Sequence, residues 1–122
     1  MTGAMRSFLE RQLFPYYVYS EPPSSSFPRR IRTAMIYTMN VTEERSDSNG
    51  YHFIYDSTED SLCSILGSAE TLCCFDTLQF KDYSKVIMGR YNPLEKLATR
   101  QDVFPGDRRR AFELGHRLAS SA

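Results

Sequence analysis

The sequence predicts an α/β fold built on a parallel sheet, and three observations carry that reading. Helix-patterned and strand-patterned segments alternate in the order α, β, α, β, α, α. Both strand candidates are apolar on both faces, as strands covered by helices on each side are. Small residues recur on the inward stripe of the last helix, where they let a helix lie close on a sheet. Such an alternation implies right-handed crossover connections.

The elements follow in order. Met5, Phe8, Leu9 and Leu13 fall at helical spacing, with Thr2 placed to cap the helix and Pro15 to stop it. Phe14 to Pro28, FPYYVYSEPPSSSFP, reads as a loop in which aromatics precede a Pro and Ser cluster. Its aromatics suit either a cover over the helix end or a subunit contact, since clustered Tyr and Phe supply large, rigid area. Ile31 to Thr38, IRTAMIYT, is bounded by Pro28 and Asn40 and reads as an interior strand. Thr42, Glu43 and Glu44 suggest a helical turn, and Ser48-Asn49-Gly50 a turn. Tyr51 to Leu66 fits a helix on the stripe Ile54, Leu62, Ile65 and Leu66, with Gly67 as its left-handed cap.

Glu70 to Leu78, ETLCCFDTL, is the second strand, and its Asp76 requires a partner or the end of the sheet. Asn92-Pro93-Leu94-Glu95 is a capped helix start, with Pro93 in the first helical position and Glu95 reaching back. Pro105 opens the last helix, whose stripe is Ala111, Leu114, Gly115, Leu118 and Ala119. Two parallel strands alone leave edges and bare faces, so upstream strands, a second copy or helices over both sides are needed to complete them.

At 122 residues, with 41% hydrophobic and 13% aromatic content, the chain is expected to form a single domain with a modest core. Fifteen Lys plus Arg balance fifteen Asp plus Glu, so there is no net field to attract nucleic acid or an anionic membrane. No apolar run reaches the length of a membrane span and no signal-peptide pattern opens the chain, so a soluble cytoplasmic protein is expected. Cys63, Cys73 and Cys74 are read as buried, reduced thiols, with Cys73 and Cys74 pointing to opposite faces of their strand. With no CxxC and two isolated histidines, His52 and His116, no metal site is expected.

The segment MTGAMRSFLERQLFPYYVYS, followed by RIRTAMIYTMNVTEE, resembles part of the flavodoxin-like, FMN-binding domains of the NADPH-dependent FMN reductase and iron-sulfur flavoprotein group. The stretch it resembles runs from the third-strand loop to the fourth strand. GSAETLCCFDTLQFKDYSK resembles the fifth strand and its exit, and FPGDRRRAFELGHRLA the terminal helix. The resemblance implies an α/β, flavodoxin-like three-layer parallel sheet that is incomplete here. Residues 1–122 would be its C-terminal portion, holding the last two strands and flanking helices and lacking the first strands and the phosphate loop. Family members hold FMN at the carboxyl ends of their strands, a placement general to open α/β sheets.

The residues matching the ring-side loops are Met1, Thr2, Gly3 and Ala4, then Thr38, Met39 and Asn40. The resemblance thus implies cofactor contact at Thr2, Gly3, Ala4, Thr38, Met39 and Asn40, in an FMN-dependent oxidoreductase or a fragment of one. In such enzymes the cofactor carries the chemistry, so no catalytic side chain is assigned. The resemblance implies an NAD(P)H-dependent flavin or quinone-type reductase with the donor left open; were it NADPH, Arg108, Arg109 and Arg110 could meet its extra phosphate, although a solvated charged face explains them too. The cysteine cluster of iron-sulfur members is missing, so no iron-sulfur centre is expected. The alternative is a non-catalytic remnant of the fold that dimerises or docks through its aromatic loop and sheet edge. Either way a homo-oligomer is expected, with neither nucleic acid nor membrane as partner.

Overall fold

A computed structural model describes every residue except Met88, Arg90, Ser121 and Ala122. The protein is mixed α/β with a small parallel sheet. Its elements are α1 (Gly3–Leu13), β1 (Tyr17–Val18), β2 (Ser24–Ser25), β3 (Ile31–Thr38), α2 (Glu43–Ser48), α3 (His52–Leu66), β4 (Gly67–Cys74), α4 (Pro93–Asp102) and α5 (Phe104–Ala119). β3 pairs with β4, while β1 and β2 form an antiparallel hairpin. Two compact units divide the chain: Met1–Met35 with Gly50–Thr71, and Ile36–Asn49 with Leu72–Ala122. Among the described residues no helix is long and apolar enough to cross a membrane.

In the first unit Thr2 caps α1 as expected, its Oγ1 accepting from the Met5 N–H at 3.3 Å. The expected stripe holds for Leu9 and Leu13, which turn inward, but Met5 and Phe8 face outward. Leu13, Leu62 and Ile65 form the core, with Leu9, Tyr16, Phe27, Met35, Leu66 and Ala69 packed on it. The segment expected to be a plain loop instead carries the β1–β2 hairpin. Ser25 Oγ donates to the Ile65 carbonyl at 2.8 Å, and the Tyr16 and Phe27 rings meet edge to face at 4.9 Å. These contacts fasten the hairpin over the C-terminal end of α3, so part of the aromatic cluster does cover helix.

Gly67 ends α3 and begins β4 with φ +125°. A Cβ there would meet the Arg30 Cβ at 3.0 Å, so both conformation and space restrict the position to glycine. Arg30 Nη2 donates to the Gly67 carbonyl at 2.9 Å and Thr33 Oγ1 to the Ser68 carbonyl at 2.8 Å, tying the start of β3 to the start of β4.

In the second unit the strand ends are held by Met39 N–H to the Cys74 carbonyl at 3.0 Å, Asp76 N–H to Val41 at 2.8 Å and Thr77 N–H to Met39 at 2.9 Å. The strand expected over Glu70 to Leu78 therefore stops early, at Cys74. Asp76 adopts φ +54°, a left-handed conformation that ends the extended run and that Asp tolerates better than most residues. Thr42 caps α2, and Asn92 caps α4 by accepting from the Leu94 N–H at 3.0 Å. Glu95 reaches back, accepting from Asn92 Nδ2 at 3.1 Å.

α5 starts at Phe104, with Pro105 in its first turn. Its inward face is Asp107, Ala111, Leu114 and Leu118, at i, i+4, i+7 and i+11. Gly115 and Ala119, expected to lie close on a sheet, are exposed, and no atom lies within 4 Å of a Cβ built at Gly115. The inward face therefore runs through Asp107 and Leu114, and Gly115 lies outside it.

Candidate functional site

The residues expected to meet a cofactor are divided between the units. Thr2, Gly3 and Ala4 open α1 in the first; Thr38, Met39 and Asn40 leave β3 in the second. Thr2 spends its hydroxyl on the helix cap, and Gly3 and Ala4 present the N–H groups that a first helical turn leaves unpaired. Thr38 is exposed. Met39 is committed at both backbone atoms, its N–H to Cys74 and its carbonyl to the N–H and Oγ1 of Thr77. Asn40 donates from Nδ2 to Gln79 Oε1 at 2.9 Å, while its own Oδ1 is buried without a donor among the described residues.

Beside Asn40 lies a charged cluster that sequence patterning did not reveal. Lys96, on α4, is 2% exposed. Its Nζ donates to Asp76 Oδ1 and, at 2.5 Å, to the Asn40 carbonyl, and it sits 4.7 Å from the centre of the Tyr91 ring. Thr99, one turn further along α4, donates to Asp76 Oδ2 at 2.9 Å. Asp76 thus has the partner its position demanded, supplied by two residues at helical spacing. With both carboxylate oxygens taken, the cluster acts as an internal clamp between the end of β4 and α4.

A buried acid, Asp107, lies in the first turn of α5. Asp107 accepts from Arg110 Nη2 at 2.6 Å, and the same nitrogen donates to the Cys73 carbonyl at 3.3 Å. Burial and then the Asp107 charge push the Cys74 thiol up, and Asp107 also holds its proton by hydrogen bonding. Burial, followed by the neighbouring Cys74, pushes Cys73 up as well. Both cysteines are therefore protonated thiols near neutrality, poor nucleophiles rather than reactive ones. Of the three arginines considered for a phosphate, Arg110 is taken by Asp107; Arg108 and Arg109 are exposed.

The first unit carries an open cleft of 660 Å³ between α1, the aromatic segment and α3. Leu9, Leu13 and Ile65 give it an apolar floor, Phe14, Tyr17 and Tyr19 an aromatic rim, and Ser57, Ser61 and Ser64 a hydroxyl wall. The hydroxyls of Ser57, Ser61 and Ser64 donate back to carbonyls of their own helix, so their protons are spent. Arg6 and Glu10 stand on the α1 side of the cleft. A second hollow, of 530 Å³, lies along α1 at Ser7, Glu10, Arg11, Phe14 and Pro15. Glu10 and Phe14 border both, forming a ridge between two depressions. No protein-family model, no curated protein and no solved structure matches the chain.

Proposed function

We propose that this protein is a non-catalytic interaction module that works by self-association. The observation that carries the proposal is the aromatic rim of the first unit: Phe14 and Tyr19 border the open cleft beside α1 and are 63% and 80% exposed, large rigid area of the kind that subunit contacts bury. The absence of net charge removes the repulsion that would otherwise separate identical copies. The test is thermal melting over a hundredfold range of concentration. A Tm that climbs with concentration supports association, and one that stays fixed contradicts it.

A flavin-dependent oxidoreductase is the second reading, and the buried Oδ1 of Asn40 favours it, since an orphaned acceptor at a strand exit suits an N–H on a ring edge. The rest of the expected set fits in part. The hydroxyl of Thr38 and the N–H groups of Gly3 and Ala4 are turned outward, whereas the backbone of Met39 is used internally. FMN, when bound, would supply the redox chemistry, and Thr38 and Asn40 of the second unit would contact its ring. Titrating FMN and following the quenching of its fluorescence tests this reading directly, and unchanged fluorescence at saturating protein removes it.

A further inference from the structure

We infer that two copies of this chain pair antiparallel through α1, with Arg6 of each copy set against Glu10 of the other. The inference rests on the self-association reading and names its surface. Arg6 and Glu10 lie one turn apart, and neither enters an ion pair among the described residues. A two-fold axis crossing α1 midway between them brings each arginine to the partner copy's glutamate, so one pair of opposite charges satisfies itself twice. The shape is self-complementary in the same register. The ridge of Glu10 and Phe14 is flanked by hollows of 660 and 530 Å³, the arrangement in which the ridge of one helix enters the groove of another. At one end of α1 stands Gly3, with open space around it, and at the other Phe14, 63% exposed. Antiparallel pairing lays the large residue of each copy over the small one of its partner. Met1, also on the cleft, then meets the partner copy's Phe14, a soft sulfur against a ring.

Charge reversal tests this surface with three variants, Arg6→Glu, Glu10→Arg and the double exchange, their masses measured by light scattering behind a sizing column. Arg6→Glu sets glutamate against glutamate across the axis twice, and Glu10→Arg sets arginine against arginine. Each single variant is expected to associate on the order of tenfold more weakly or worse. Mixing the two in equal amounts restores opposite charges on both sides, so the mixture is expected to recover the mass of the unaltered chain, and the double exchange to do so alone. Both changes place charge favourably along the dipole of α1, so loss of the helix would not mimic the result, and circular dichroism checks it. Single variants that associate like the parent would overturn this interface while leaving self-association standing. A parent chain monomeric at every concentration would overturn both.

Discussion

The buried Lys96 and the half-buried Asp76 form an ion pair that joins α4 to the turn beyond β4, at the residue where the backbone turns left-handed. Asp76 leaves the strand with φ +54°, and its carboxylate then receives Lys96 on one oxygen and Thr99 on the other. The turn and the helix therefore fix each other. Replacing Lys96 by Met strands a partly buried carboxylate and is expected to cost about 3 kcal/mol. Lys96→Met with Asp76→Asn removes both charges, and Asn tolerates the same backbone conformation, so the double variant is expected to recover at least half of that loss. Urea unfolding of the parent and the two variants measures it; a double variant as unstable as Lys96→Met would contradict the clamp.

Gly67 is the second fixed point. Alanine there must take φ +125° and press its Cβ to 3.0 Å from that of Arg30. The expected loss is about 2 kcal/mol. Gly115, with nothing within 4 Å of an added Cβ and an exposed helical site, is the control, and alanine there is expected to stabilise the chain. Equal effects at the two glycines would show that Gly67 is not under this constraint.

Much of this architecture is legible locally and some of it is not. The caps at Thr2, Thr42 and Asn92 follow from single residues acting on the next turn, and β3 lies between a proline and an asparagine that bound it. The β1–β2 hairpin escapes because Ser24 and Ser25 carry no apolar alternation; they pair with Tyr17 and Val18, and Ser25 also bonds to α3, 40 residues further along the chain at Ile65. The demand of Asp76 for a partner is visible in an otherwise apolar strand. Its answer is not, since Lys96 is twenty residues away on a helix whose pattern gives no sign that a lysine turns inward. Gly115 misleads because small size alone does not mark an inward position: the inward face of α5 includes the charged Asp107, while Gly115 is exposed.

Cys73 and Cys74 give an alkaline signature. Their folded thiols hold the proton to higher pH than free thiols do. That contribution to stability is complete below the unfolded thiol value and is lost as pH rises through the folded one, from about pH 8.5 upward. The urea midpoint is expected to fall as pH rises above about 8.5, with a shallower fall in Cys73→Ser/Cys74→Ser. Identical slopes would show that the thiols do not contribute.

Sedimentation equilibrium of the unaltered chain, from low micromolar to near-millimolar concentration and with and without FMN, tests the central claim most directly. Self-association predicts a mass that rises toward that of two chains and is the same with FMN as without it. A mass of one chain throughout would contradict it.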